Sequence, residues 1–567
     1  MNSQSETIFF DRYALRDAAG ELLETDYSQL IQRLTNAFAI NSSDIVKFVS
    51  ALEKFRFVPG GRILSSTGGD STLFNCFVIA IQCQDPAYGA DSRRAIMQMI
   101  TEMIEICSKG GGVGVNWSVL RPEGAHIAGV NGKSSGPIAW MQGADALADQ
   151  IRQGGSRTAA LMWMLDIWHP GMLNFINRTE RFLHANYSVG ISDDFMQSVA
   201  INGTWELEFP ETTHEMYNSM WDGDLTFWRN AGYPIQTYHT LKAQTLFDGI
   251  CESAHRLGSP GMVFLDTCNA MSNTWWLGKL RATNPCGEQP LPPDGSCNLG
   301  SVNLVEMWDF TSSSIDFERL SNTVESAVRF LDRTTDISKD IITRIGDHQR
   351  STRRVGLGTM GLADVLIMSG VRYGSRRSLR EIDEIYEFIR DTAYNYSVDL
   401  AIEFGEAPAL DREKFLQGGF IRTLPEDILE RIDEHGIRNL ALLSQAPTGT
   451  TSLLAGVSSG IEPIFSKEYV RTDATGEHLM IHPLFQDDSG DHLVTSHEIN
   501  FKDHIAVQAR IQKYIDSAVS KTINMSPCAS PDQIGEAYEL AWKSGCKGIT
   551  VYRDGSLEGV CKSCELN

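Results

Sequence analysis

Between Phe77 and Val119 the chain alternates an apolar run, an amphipathic stretch and a second apolar run, with glycines at the joints. Phe77-Val78-Ile79-Ala80-Ile81 reads as a buried strand. Ile96, Ile100, Met103, Ile104 and Cys107 then fall on one helical face, and Gly110-Gly111-Gly112 ends that helix. Val113, Val115, Trp117 and Val119 begin the next strand. A strand–helix–strand unit needs a right-handed crossover with the helix packed on the sheet, so this pattern commits the chain to an α/β architecture with a largely parallel sheet. The unit recurs near the end of the chain. Ser530, Pro531 and Gln533 spell a capping box with proline in the first turn, and Ile534, Tyr538, Ala541 and Trp542 share one face. Gly545 stops that helix, and Ile549-Thr550-Val551-Tyr552 follows as a strand. Residues 1–60 read instead as a small helical N-terminal region, centred on Tyr27–Phe38 and Ser43–Phe57.

With 567 residues, 42% of them apolar, the chain can bury a large core without covalent staples, which leaves its 11 cysteines to be explained. The count is odd, Met1–Tyr13 has neither the basic region nor the apolar core of a signal peptide, and no run of 18 apolar residues offers a membrane span. The expectation is a reduced, cytoplasmic compartment in which paired cysteines are catalytic or metal-binding. A net charge of −23 argues against binding along a nucleic-acid backbone, while leaving room for small phosphorylated ligands held by a few local donors.

Three motifs mislead. Gly356-Leu357-Gly358-Thr359-Met360-Gly361 fits the dinucleotide GxGxxG pattern, but a hydrophobic strand must precede it and His348–Arg354 is polar and basic. Gly132-Lys133-Ser134 resembles the end of a P-loop, yet Ile127 stands where the leading glycine belongs. Cys561-Lys562-Ser563-Cys564 lacks a second pair at zinc spacing, so it reads as a mobile dithiol rather than half a metal site, and no metal is expected.

Two clusters carry chemistry. In Asn284-Pro285-Cys286-Gly287-Glu288 a thiol is flanked two residues away by an amide and by a carboxylate. In an extended loop all three face one side, giving a sulfur reactant, a hydrogen-bonding amide and a general base. A turn with an incidental buried cysteine is the alternative. In Thr448-Gly449-Thr450-Thr451-Ser452, four hydroxyls and a glycine precede Leu453, where a helix is expected to open. Backbone N–H groups and hydroxyls at such a start favour an anion, and one plain cap would not need four hydroxyls.

Thiol chemistry on a phosphorylated substrate leads to a resemblance. The chain resembles the catalytic subunit of ribonucleotide reductases, most closely the adenosylcobalamin-dependent class II. The likeness runs from Arg12-Tyr13 through Gly60–Leu64, Asn75–Val78, Gly110–Gly114, Gly136-Pro137, Gln153–Gly155, Asn284–Glu288, Thr448–Ser452 and Gly545–Arg553 to the terminal CxxC. It implies a ten-stranded α/β barrel of two parallel five-stranded halves over residues 61–556, with a central finger loop near 284–297 and a mobile tail at 557–567. It implies that Cys286 carries the thiyl radical and removes the ribose 3′-hydrogen. Glu288 would take the 3′-hydroxyl proton, and Asn284 would hold the substrate. Cys76 and Cys297 would supply two electrons and close a disulfide, which Cys561 and Cys564 would reduce, with thioredoxin or glutaredoxin restoring the tail.

The same resemblance implies that Thr448, Gly449, Thr450, Thr451 and Ser452 bind the phosphates of a ribonucleoside di- or triphosphate, with Asn75 and Gly112 nearby. A deoxynucleotide or ATP effector would sit at a homodimer interface near Asp85, Lys109, Arg121, Ala128 and Gly129, linked to the substrate through Gln153 and Arg157. His169-Pro170-Gly171 and Ser156-Arg157-Thr158 depart from the family's usual His-Pro-Asp and arginine run. The adjacent tyrosine pair of relatives that receive a radical from a ferritin-like metal partner is reduced here to Tyr552, which favours adenosylcobalamin over that alternative. A catalytically silent nucleotide-binding regulator would lack one or more of Cys76, Cys286, Glu288 and Cys297, and all four are present.

Overall fold

Ten strands form one central sheet in the computed structural model of this chain, which describes residues 3–85, 87–151, 159–178, 180, 182–473, 476–481, 483–485, 490–553 and 556. They are β1 (Phe57–Pro59), β2 (Cys76–Val78), β3 (Gly112–Asn116), β4 (Leu161–Asp166), β5 (Ala185–Ile191), β6 (Gly261–Phe264), β7 (Gly295–Asn303), β8 (Val355–Met360), β9 (Thr522–Met525) and β10 (Gly548–Arg553). From β2 to β6 the neighbours run parallel. Parallel pairs also join β7 to β8 and β9 to β10. The two sets meet at antiparallel seams, β2 against β7 and β6 against β10, while β1 continues β2's edge of β7.

The crossovers explain why the strands are so apolar. Helices cover the faces of the sheet, so β8 is buried along its whole length and alternation disappears. The helix Arg93–Ser108 starts where the Ser92 hydroxyl accepts from Ala95 N–H, and it ends at Gly110, whose φ of +87° suits glycine. The capping box at Ser530 and Gln533 forms and opens the helix Pro531–Lys543. β2 stops at Val78, sooner than the apolar run to Ile81 predicts, although Ile79 and Ile81 stay buried. The GxGxxG segment is β8 itself rather than a phosphate turn.

The N-terminal helices Ser3–Arg12, Tyr27–Phe38 and Ser42–Leu52 pack with the long helices Phe317–Ile337 and Arg376–Phe404 around one large apolar cluster. A second cluster lies between the parallel strands and the helices Arg93–Ser108, Ala243–Leu257 and Pro531–Lys543. No continuous ladder closes the sheet into a barrel among the described residues. Between β8 and β9 stand only two isolated parallel bridges, Leu357 to Leu443 and Gln445 to Val519. In this stretch Leu442 and Leu443 give their N–H groups to the Asp516 carboxylate. Among the described residues no helix is long and apolar enough to cross a membrane.

Candidate active site

The segment Ala282–Leu291 is a hairpin, with Ala282-Thr283 antiparallel to Pro290-Leu291. Its tip is closed by three bonds: Asn284 N–H to Gln289 O at 3.2 Å, Gln289 N–H to Asn284 Oδ1 at 2.9 Å, and Gly287 N–H to Asn284 O at 3.1 Å. Gly287 takes φ +83°, the left-handed turn conformation. Asn284, Cys286 and Glu288 do line one pocket, but through this turn and not through extended backbone. The hairpin can cross the sheet because β3 is glycine-rich: a Cβ on Gly112 would lie 2.9 Å from Pro285 Cγ, and one on Gly114 would strike the Thr283 carbonyl.

Cys76 of β2 and Cys297 of β7 are direct partners across the antiparallel seam. Such partners sit with Cα atoms about 4.5–5.5 Å apart, inside the span a disulfide needs. Both are thiols, and with Leu299 and Ala446 they form a small buried cluster of their own. Cys76 lines the pocket and Cys297 lies behind it. The Asn284 amide donates to Cys76 Sγ at 3.2 Å, and the Cys76 thiol points at Glu288 Oε1 at 3.8 Å. Cys286 is half-buried at the hairpin tip.

Burial dominates the electrostatics. It pushes the Cys76 thiol far up, with Glu288 and the other two sulfurs adding to the effect, and the Asn284 amide opposing it. Burial also lifts Glu288 to about 7, against the hydrogen bond from Asn284. A carboxyl group near neutrality can both take and return a proton. Glu288 Oε2 and Asn75 Oδ1 have no partner although both are buried at the pocket, so the site presents two acceptors to whatever fills it.

The helix expected from Leu453 opens four residues earlier and spans Gly449–Ala455. Thr448 caps it at φ +60°, held there because its Oγ1 accepts from Gly460 N–H at 2.7 Å. Thr448, Gly449, Thr450 and Thr451 line the same pocket as Cys286. Ser452 does not: its hydroxyl turns back to Gly449 O and Ser459 Oγ. Asn75 and Gly112 do line it, Gly112 lying beside Cys76 in register.

Of the expected effector residues, Asp85, Arg121, Ala128 and Gly129 do not line this pocket, and Lys109 stands next to its wall residue Gly110. Asp85 accepts from Ala87 N–H, and Arg121 pairs with Asp91 at 2.6 Å and donates to His126 O, which brings it close to the turn holding Ala128 and Gly129. Lys109 caps the far end of Arg93–Ser108, about 24 Å along that helix, and donates to Asp70 O. Gln153, Arg157, Cys561 and Cys564 lie outside the described residues. Sequence reasoning missed Tyr13 and Arg62, which also line the pocket. The signal for Arg62 was present, a cation directly after Gly60-Gly61, and its guanidinium packs where a Cβ on Gly110 would stand.

The family model described as ribonucleotide reductase, barrel domain, matches residues 74–552. A vitamin B12-dependent ribonucleoside-diphosphate reductase of Mycobacterium tuberculosis is 33% identical over 98% of this chain and 78% of its own length. One of the same description from Thermoplasma acidophilum is 33% identical over 90% of this chain and 65% of its own. A ribonucleoside-diphosphate reductase subunit alpha of Chlamydia muridarum is 27% identical over 98% of this chain and 59% of its own.

Proposed function

This chain belongs to the ribonucleotide reductase family, and from that premise we propose that it reduces ribonucleotides to 2′-deoxyribonucleotides by thiyl-radical chemistry dependent on adenosylcobalamin. The observation that carries the reading is the Cys76–Cys297 register pair, set under a pocket shared with Cys286, Asn284 and Glu288. Cys286 removes the 3′-hydrogen of the ribose. Glu288 takes the 3′-hydroxyl proton, and Asn284 steadies the substrate and the Cys76 sulfur. The C2′–O bond breaks and a C2′–H bond forms. The two thiols give up two protons and two electrons, the hydroxyl leaves as water, and one S–S bond forms. The first turn of Gly449–Ala455 and the hydroxyls of Thr448, Thr450 and Thr451 hold the phosphates.

The adenosyl group fits one wall of the pocket, where Gly110–Gly112 and Ala159–Ala160 carry no side chain larger than a methyl. Those residues would hold the adenosyl group beside half-buried Cys286. Adenosylcobalamin, when bound, supplies the carbon-radical chemistry that initiates turnover. Around this centre we place the 1–60 helical region and a 61–556 barrel domain, a reading supported by the Leu443 and Gln445 bridges between β8 and β9. Cys561 and Cys564 of the 557–567 tail return electrons from thioredoxin or glutaredoxin. An effector nucleotide binds near Arg121, Ala128 and Gly129 in a homodimer.

The test is anaerobic turnover with adenosylcobalamin, a dithiol reductant and each ribonucleoside di- and triphosphate. Deoxynucleotide is expected without any metal-containing partner protein, and Cys286→Ser is expected to abolish it. Product that appears only with such a partner overturns the cobalamin assignment. Turnover by Cys286→Ser overturns the mechanism.

A further inference from the structure

Arg353 and Arg354 are adjacent in sequence and opposite in environment. Arg353 has Asp332 at 2.7 Å and Asp336 at 2.9 Å. Arg354 is 5% exposed and has no ion pair among the described residues. Its Nη2 donates to Thr274 Oγ1 at 3.3 Å, and its Nε has no partner. Burying a cation without a carboxylate is costly, so a counter-charge in some state of the protein is the natural reason to keep one. The nearby Asp516 carboxylate is already engaged, accepting from the Tyr394 hydroxyl and from the N–H groups of Leu442 and Leu443. Lys547, a second buried cation, donates to the Asp516 carbonyl.

Arg354 stands beside Cys297. β7 and β8 are parallel from the pair Asn298–Val355 onward, and Cys297 and Arg354 immediately precede that pair. Neighbouring strands are about 4.8 Å apart, and register partners point to the same face. Gly356, two residues on, shares the face of Arg354, and a Cβ there would stand 3.1 Å from Cys297 Sγ. The sulfur is therefore on the arginine's side of the sheet, its thiol donating to the Asn298 carbonyl at 3.0 Å. Both thiols are buried, and the pocket separates them: Cys76 lines it and Cys297 does not.

We propose that Arg354 is a positioning residue for re-reduction of the Cys76–Cys297 disulfide, holding the charge on the Cys297 sulfur as that sulfur leaves. The inference rests on the reading of the pair as electron donor. An incoming thiolate attacks Cys76 Sγ from the pocket, the S–S bond breaks, and its electron pair departs with Cys297. A second thiol of the reductant then attacks the mixed disulfide and frees Cys76, the reductant is oxidised to its disulfide, and Cys297 takes up a proton. A leaving sulfur that holds charge more easily leaves faster. Burial pushes the Cys297 thiol up, and the Arg354 guanidinium is the largest influence opposing it, while Glu288 and Asp516 add to the rise.

The full chain carrying Cys561→Ser and Cys564→Ser, so that an added thiol acts directly, is oxidised with diamide. Peptide mapping identifies the Cys76–Cys297 link, and reduction by dithiothreitol is followed with neither nucleotide nor cobalamin present. Arg354→Met, which keeps volume and loses charge, is expected to slow reduction about ten-fold or more, and Arg354→Lys to stay within about three-fold of the parent at pH 7. Equal rates in the parent and Arg354→Met overturn the inference. Should Arg354→Met not fold, the parent still decides. Reduced with glutathione, it must carry the trapped mixed disulfide on Cys76, and glutathione on Cys297 overturns the inference. A parent that forms no Cys76–Cys297 link overturns the electron-donor reading as well, whereas a link with unchanged rates overturns this inference alone.

Discussion

The two antiparallel seams of the sheet have the same origin and different contents. At both, one parallel set of strands meets the other head to tail. At the β6–β10 seam Met262 faces Ile549 and Val263 faces Gly548, an apolar closure. At the β2–β7 seam Ser296 faces Phe77 and Cys297 faces Cys76, and the hairpin Ala282–Leu291 crosses just above. Antiparallel pairing gives either seam the closeness that two sulfurs need. Only the seam under the hairpin adds a thiol, an amide and a carboxyl group from a third element, together with unpartnered acceptors that a ligand can satisfy.

The largest expected effect separates the seams by their cysteines. Cys76→Ser and Cys297→Ser should each lower repeated turnover by more than about 10³-fold, because the two act as a unit. Cys268→Ser, whose thiol donates to the Lys547 carbonyl near the other seam, should stay within about two-fold of wild type. Steady-state assays on the three variants check this, and a similar loss for Cys268→Ser would erase the distinction.

Glu288 sharpens it further. Glu288→Gln should cut turnover by about 10²-fold by removing the base. The same substitution should stabilise the fold at alkaline pH. Burial raises this carboxyl from 4.5 to about 7, so the folded state holds a proton that the unfolded chain releases in that window. The penalty is absent below pH 4.5, grows as pH rises through the window and is complete above about 7. Glu288→Gln should therefore match wild type at pH 4 and exceed it at pH 8 by up to about 3 kcal/mol, read from denaturant unfolding at the two pH values.

The smallest effect is steric. A Cβ on Gly356 would approach Gln289 Nε2 at 2.8 Å and Cys297 Sγ at 3.1 Å, so Gly356→Ala should cost about 1–3 kcal/mol. At the other seam a Cβ on Gly548 would meet only the Met262 carbonyl, at 3.2 Å, and Gly548→Ala should cost less than about 1 kcal/mol. Urea midpoints for the pair of variants test the ranking.

Much of this was legible in the chain. Glycine punctuation and helical spacing mark Arg93–Ser108, and the capping box at Ser530 marks Pro531–Lys543, because capping and periodicity act over a few residues. Other features were not. The turn that closes the hairpin tip depends on Gln289 bonding Asn284, and the early start of the Gly449 helix depends on Gly460 reaching Thr448. Pocket residues Tyr13 and Arg62 fall in stretches that carry the family likeness, Arg12-Tyr13 and Gly60–Leu64, yet nothing along the chain attaches a role to either.

By itself the sequence determined the α/β class, the helical start of the chain and the residue types able to do thiol chemistry beside a carboxylate, since each follows from short-range pattern. Only the tertiary structure set Cys76 and Cys297, paired before that by resemblance alone, directly opposite each other. Register across a seam joins positions 221 residues apart (297 − 76), and no periodicity along the chain encodes that distance. It also decided the environment of those sulfurs, because burial is a property of what packs around a side chain rather than of the side chain itself. The contrast between Arg353, paired with Asp332, and Arg354, with no ion pair among the described residues, is the plainest instance, for the two are identical in sequence terms and differ only in what the fold sets beside them.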